Sequence, residues 1–154
     1  MTYKCEVIER PAQLTIGIHT HSPVQDLPQL IPQSYQIIAE YLGQLGQNPS
    51  GAPFAAYYNM DMQNLDVEIG FLSSSKVPGK GSIQPGSMPG GKAASCLHVG
   101  PYSTIGNAHD ALHRWVAEKG YESVGVYYEI YLNNPADTPP DALQTQIFTL
   151  LKTS

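Results

Sequence analysis

The chain has 154 residues and 16.7 kDa, enough for one domain with a hydrophobic core. Thirteen acidic residues against eight basic ones give a net charge of −5, and the Lys and Arg residues are scattered singly, which argues against direct nucleic-acid binding. No apolar run reaches the roughly 18 residues of a membrane span. The charged N-terminus lacks the apolar core of a signal peptide, and the two cysteines, Cys5 and Cys96, are expected to be buried free thiols. These features predict a cytoplasmic protein.

The apolar pattern predicts, in chain order, two strands, a helix, two strands, a long loop, a strand, a helix and two strands. The first helix is predicted from Leu27 or Pro32, with Asp26 as its N-cap, and Gly43 and Gly46 are predicted to end it. The second is predicted from about Tyr102 to Lys119, and Gly120 is predicted to end it. A stretch rich in Ser, Gly and Pro, 73–92, is predicted as an exposed connecting loop. The strands are predicted at 3–10, 14–19, 52–60, 65–72, 93–99, 125–133 and 143–151.

After the first strand, the order strand–helix–strand–strand occurs twice, which indicates an internal duplication. A shift of 74 residues places Tyr57 on Tyr131, and a shift of 78 places 65–69 on 143–147. A shift of 79 places Ile18 on Leu97 and His19 on His98. We therefore predict two like modules about a pseudo-two-fold axis, with a groove on that axis suited to a ligand. The half-repeats are predicted at about 1–73 and 92–152, joined by the loop 73–92, within a single domain over 1–154.

The strand at 125–133 carries a carboxylate between tyrosines. Alternation places Tyr127, Glu129 and Tyr131 on one face. The other face is almost wholly apolar and is expected to lie against the helices; it carries Val126, Tyr128, Ile130 and Leu132. A buried carboxylate is costly unless it is hydrogen-bonded or paired with a cation.

The second half reads H-V-G-P-Y over His98–Tyr102, then Trp115 on the helix, then Gly120, then Y-E-I-Y-L-N-N-P over Tyr128–Pro135. This order of motifs resembles the GyrI-like small-molecule-binding family, which is related to the effector-binding domains of AraC-type and multidrug-sensing transcription regulators. The resemblance covers about 3–151. It implies an α+β fold with an antiparallel sheet, two main helices and a central cleft that binds bulky, often cationic, aromatic molecules. That fold uses the whole chain, so we expect no helix-turn-helix and a stand-alone domain.

Five residues are predicted to bind the ligand. The resemblance gives Glu129 the role of the carboxylate that meets a cationic ligand; the alternatives are that Glu129 faces water or accepts hydrogen bonds from nearby tyrosines. Aromatic rings attract a cation, although core packing explains these rings equally well. The predicted ligand-binding residues are Glu129, Tyr57, Tyr127, Tyr131 and Trp115.

Other chemistry-bearing residues give weaker signals. His109 and His113 have the i, i+4 spacing of a chelating pair on a helix, but no third ligand accompanies them, and no metal or cofactor is predicted. Cys96 and His98 could form a nucleophile pair, but no motif supports this. Glu68 is either an outer partner of the site or part of a solvated face.

These observations favour a binding protein that senses or sequesters amphipathic, aromatic and cationic small molecules. A homodimer or a regulatory protein partner stays open. The alternative from another class is a hydrolase of strained cyclopropane-type genotoxic natural products, using Glu129 with Tyr57 or Tyr131 as catalytic residues. A third interpretation, an inhibitor of DNA gyrase, comes from the family name alone.

Overall fold

The computed structural model describes residues 3–49 and 51–152. In chain order, its strands and helices are β1 (Cys5–Arg10), β2 (Gln13–Ser22), α1 (Leu27–Gln44), β3 (Pro53–Tyr57), β4 (Leu65–Ser73), β5 (Ile83–Met88), β6 (Gly91–Val99), α2 (Ile105–Glu118), β7 (Ser123–Tyr131) and β8 (Gln144–Leu151). The α+β class with antiparallel strands and two main helices is therefore confirmed. The chain divides into two compact units, Ala12–Pro89 and Met1–Pro11 with Gly90–Ser154.

The continuous unit has four antiparallel strands in the order β3-β4-β2-β5. Helix α1 places Ile38 and Leu42 in a buried cluster with Ile16, Ile18 and Phe71. Ile37 and Leu45 lie at helical spacing from the buried Tyr41 but are exposed, because only a narrow face of the helix packs on the sheet. Asp26 precedes α1 as predicted, but its side chain makes no capping hydrogen bond.

The discontinuous unit has the corresponding order β7-β8-β6-β1, again antiparallel throughout. Helix α2 places Ala108, Leu112 and Val116 in a buried cluster with side chains of β6 and β8. A single turn of 3-10 helix, Tyr102–Thr104, leads into α2, and Gly120, with φ of 77°, follows its end. The predicted start and stop of this helix are correct to within three residues.

The segment 73–92, predicted as a loop, contains strand β5, so that prediction is wrong. The strand could not be predicted from the sequence because it contains Pro85 and Gly86, and both residue types are depleted in strands. β5 lies at the edge of its four-stranded sheet, where a proline is tolerated, and its terminal residues Ile83 and Met88 are buried.

The predicted half-repeats also need correction, because β1 pairs with β6 and so belongs with the second half. Each unit is a strand–helix–strand–strand module with one added edge strand on its first strand: β5 on β2, and β1 on β6. Sequence periodicity identifies the strand at 5–10 but says nothing about its distant partner.

The strand registers confirm two of the predicted repeat offsets and correct the third. Tyr57 pairs with Val67 in one unit and Tyr131 with Thr145 in the other, which agrees with shifts of 74 and 78. Ile18 pairs with Ile69, however, and Cys96 with Ile147, so β2 and β6 are also related by 78 rather than 79. A slip of one residue exchanges the faces of a strand, and His19 is indeed exposed where His98 is buried. These two histidines are not equivalents.

Candidate functional site

Glu129 is a buried carboxylate with two side-chain partners. It lies in β7, opposite Ile147 of β8, and is 4% exposed. The Tyr131 hydroxyl donates a hydrogen bond to Oε1 at 2.5 Å, and His109 of α2 donates from Nε2 to Oε2 at 2.6 Å. Both oxygens therefore have donors, which is what a carboxylate removed from water requires.

Helix α2 lies over the face of β7 that carries Glu129, which is the opposite of the prediction. Tyr127 belongs to the same buried cluster as Leu112 and Val116 of α2, and His109 reaches Glu129. The apolar face is buried as well: Tyr128 stacks on Phe148 with ring centroids 4.8 Å apart. Because both faces are buried, alternation separates them correctly but cannot say which one the helix covers.

The two histidines of α2 meet two residues of β7 in register. His109 contacts Glu129, and His113 Nδ1 lies 3.1 Å from the hydroxyl of Tyr127. Four residues of helix rise about 6 Å, close to the length of two strand residues, so the i, i+4 spacing matches residues two apart on an antiparallel neighbour. In the sequence, this spacing is typical of a metal-chelating pair. In the structure, both histidines contact residues of β7. His109 is the site residue that the sequence interpretation missed.

Tyrosine rings surround the carboxylate. The rings of Tyr102 and Tyr131 pack edge to face, with their centroids 5.4 Å apart. The rings of Tyr127 and His109 also pack edge to face, with their centroids 6.1 Å apart. Burial and, second, the negative charge of Glu129 raise the pKa of Tyr102. Burial also raises the pKa of Tyr127. Tyr102, which is not among the five predicted ligand-binding residues, thus lies close enough to Glu129 for its charge to affect the tyrosine hydroxyl.

The other two predicted ligand-binding residues lie in different surroundings. Trp115 packs with the buried cluster of α2, 6.1 Å from the ring of Tyr121. Tyr57 belongs to the continuous unit, at the end of β3, and packs on a cluster that contains Leu27 and Val67. A role for either residue in ligand binding stays a prediction.

The repeat position of Glu129 in the continuous unit is Ala55, so the buried carboxylate occurs in one half alone. Two acidic residues of that unit, Asp66 and Glu68, lie on β4. Glu68 accepts a hydrogen bond from the Tyr58 hydroxyl at 2.8 Å, and Asp66 pairs with His19. Glu68 is half-buried and Asp66 partly exposed, so this group is more solvated than the group at Glu129.

Cys96 and His98 do not form a nucleophile pair. The Cys96 thiol donates to the carbonyl of Ala108, and burial raises its pKa to about 12, which disfavours the thiolate. His98 is buried and contacts the Tyr3 hydroxyl through Nδ1 and the Pro101 carbonyl through Nε2. His98 therefore supports the chain around the start of α2.

Two surface cavities lie within the individual units, and neither has Glu129 in its wall. One, of about 360 Å³, is lined by Leu14, Thr15, Lys76, Pro85, Gly86 and Ser87. The other, of about 260 Å³, is lined by Tyr3, Asn107, Asp110, Ala111 and Arg114. Across residues 3–49 and 51–152, no three His, Cys, Asp or Glu side chains are grouped so as to hold a metal ion. Neither helix in those ranges has the length and hydropathy needed to cross a membrane.

Solved structures share this fold at low sequence identity. EcmrR in a DNA complex is 22% identical with a TM-score of 0.83, covering 99% of this chain and 58% of that one. The EcmrR C-terminal domain is also 22% identical, with a TM-score of 0.80 and full coverage of both chains. A hydrolase from Listeria innocua is 14% identical with a TM-score of 0.69, covering 97% of this chain and 92% of that one.

SAV2435 bound to tetraphenylphosphonium is 14% identical with a TM-score of 0.68, and the match covers 99% of this chain and 94% of that one. A comparison with curated protein sequences found no match. The family comparison matches residues 3–152, almost the whole chain. The protein therefore belongs to the GyrI-like small molecule binding domain family.

Proposed function

We propose that this GyrI-like domain binds a bulky hydrophobic cation and that Glu129 is its counter-ion. The observation that carries the proposal is a carboxylate held 4% exposed beneath α2, with no Lys or Arg paired to it among the described residues. Hydrogen bonds from His109 and Tyr131 keep the carboxylate in place. A ligand cation would supply the full charge compensation that these donors supply only in part.

The aromatic rings around Glu129 suit the same class of ligand. The ring of Tyr102 contacts that of Tyr131, and the hydroxyl of Tyr131 contacts Glu129. The ring of Tyr127 contacts that of His109. A cation over an aromatic face gains about 0.5–2 kcal/mol, most where water is excluded. Large rings also offer apolar area to the body of an amphipathic molecule. The tetraphenylphosphonium bound to SAV2435, a protein of the same fold, belongs to this chemical class.

The test is binding of tetraphenylphosphonium, measured by isothermal titration calorimetry and by the rise in melting temperature. Glu129→Gln keeps the shape of the side chain and removes its charge, so we expect a loss of about 1–3 kcal/mol in binding free energy. Glu68→Gln is the matched control, because Glu68 also accepts a tyrosine hydroxyl but is more solvated. Equal affinity of Glu129→Gln and the unaltered protein, with both folded, would contradict the proposal.

A hydrolase is the second candidate, and the hydrogen-bonded His109–Glu129 pair is the observation that favours it. A histidine held by a carboxylate can accept a proton from water. Attack of that water on a cyclopropane carbon would break one ring bond, and the proton would finish on the leaving carbon. The Listeria innocua hydrolase shares the fold but only 14% of the sequence.

Mass spectrometry of a cyclopropane-bearing alkylator incubated with the protein distinguishes the two candidates. We expect saturable binding of tetraphenylphosphonium and no water adduct of the alkylator. A water adduct that forms with the unaltered protein and disappears in His109→Gln and Glu129→Gln would establish the hydrolase and contradict simple binding.

A further inference from the structure

The charge of Glu129 already has a partner inside the protein, and this partner is the imidazole of a histidine. His109 Nε2 lies 2.6 Å from Glu129 Oε2, a distance typical of a charge-assisted hydrogen bond. The His109 side chain is 19% exposed and that of Glu129 is 6% exposed, so the interaction is shielded from water. A protonated imidazole at this position occupies the carboxylate that a ligand cation would need.

We infer that His109 is the counter-ion of Glu129 in the absence of ligand, and that binding of a cationic ligand to Glu129 releases a proton from His109. This inference rests on the proposed function and adds its regulation. Two positive charges cannot share one buried carboxylate without repulsion, so binding of a permanent cation favours the neutral imidazole. Linkage requires the converse as well: protonation of His109 lowers the affinity of the protein for the ligand.

The other titratable groups around the pair do not supply this proton. Burial raises the pKa of Tyr102, Tyr127 and Cys96, so these side chains stay neutral at neutral pH. Strand β8 presents Thr145, Ile147, Thr149 and Leu151 to this face, and none of these side chains is acidic or basic. Three other titratable groups on these elements have hydrogen-bond partners: Tyr131 donates to Glu129, His98 contacts Tyr3 and Pro101, and His113 contacts Tyr127. The charged residues of α2 and β6 are exposed: Asp110, Arg114, Glu118 and Lys92.

The expected consequence is a proton release that accompanies binding. Over the range in which His109 is protonated, the affinity for a permanent cation should rise by up to about tenfold for each unit of pH. The sign follows from competition, because raising the pH removes the competing proton. Tetraphenylphosphonium is the appropriate probe, because its charge does not change with pH.

Calorimetric titration of the protein with tetraphenylphosphonium in two buffers of different ionisation enthalpy counts the protons released. We expect a release of up to one proton in the unaltered protein, near zero in His109→Gln, and an affinity of His109→Gln that no longer depends on pH. His113→Gln is the matched control, because it removes the neighbouring histidine on the same helix and should leave the proton release unchanged. Circular dichroism checks that each variant is folded.

The outcomes separate the inference from the proposed function. Binding with the same apparent enthalpy in both buffers, and an affinity independent of pH, overturns the inference and leaves the proposed function standing. Proton release that persists in His109→Gln also overturns it, because another group would then be the source. If the unaltered protein does not bind tetraphenylphosphonium at any pH tested, the proposed function and this inference both fail.

Discussion

Cys5 and Cys96 face each other directly across the β1–β6 pair, and both are free thiols. Cys96 is buried, whereas Cys5 is half-exposed. Burial raises the pKa of Cys96 to about 12 and also raises the pKa of Cys5. The pair is thus held in the protonated form, which is the unreactive one.

The first prediction is that iodoacetamide modifies the folded protein slowly at about pH 8, Cys5 before Cys96, because the thiolate is the reactive species. In denaturant both cysteines should react at the rate of an ordinary thiol. Peptide mapping by mass spectrometry after timed quenching measures the two rates. Modification of Cys96 at the same rate in folded and denatured protein would contradict its burial.

The second prediction concerns alkaline pH. The pKa of Cys96 rises from 9.0 to about 12 on folding, so its contribution to the free energy of unfolding is complete below pH 9 and is lost as the pH rises toward 12. Tyr102 and Tyr127, with pKa values raised above 10.0, add to the loss above pH 10. Urea unfolding across this range should show a shallower decline in Cys96→Ala. An identical decline in both proteins would show that the thiol does not contribute.

The third prediction tests the donor to the buried carboxylate. Tyr131→Phe keeps the ring but removes the hydroxyl that donates to Glu129, which should cost about 1–3 kcal/mol of stability. Tyr58→Phe is the control: it removes the donor to the more solvated Glu68, where water can replace the hydroxyl, and should cost less. Chemical denaturation measures the free energy of unfolding of both variants and of the unaltered protein. A larger loss for Tyr58→Phe would contradict the difference in solvation.

The fourth prediction concerns close contact between strands. A Cβ on Gly70 would lie 2.1 Å from the Ile16 carbonyl oxygen, so Gly70→Ala must push β2 and β4 apart and should cost about 1–3 kcal/mol or more. Gly43→Ala is the control, because a Cβ there meets nothing within 4 Å and alanine favours the helix by about 0.5–1 kcal/mol. Thermal unfolding should give opposite signs for the two variants.

The sequence predicts the elements that carry strong periodicity. Strand β7 lies where the alternation around Glu129 predicts it, and helix α2 lies within the predicted bounds of the second helix. Strand β5 is missed because Pro85 and Gly86 interrupt its pattern. The partner of β1 is missed because pairing between Cys5 and Cys96 depends on contacts 91 residues apart, which no local pattern encodes.

The candidate site is predicted in part. The sequence places Glu129 between tyrosines, and the alternative that nearby tyrosines donate to it is confirmed for Tyr131. The role of His109 could not be read from its spacing alone, because a pair of histidines one turn apart suits a metal or a neighbouring strand equally well. Only the packing of α2 on β7 distinguishes the two.

The pairing of β1 with β6 has a consequence for synthesis on the ribosome. The unit Ala12–Pro89 is continuous, so all its strands are synthesised before β6, β7 and β8, and it can fold first. The sheet of the other unit cannot be completed until β8 has been synthesised, and β1 stays unpaired until β6 emerges from the ribosome. The first strand of this domain to be synthesised is therefore among the last of its strands to pair.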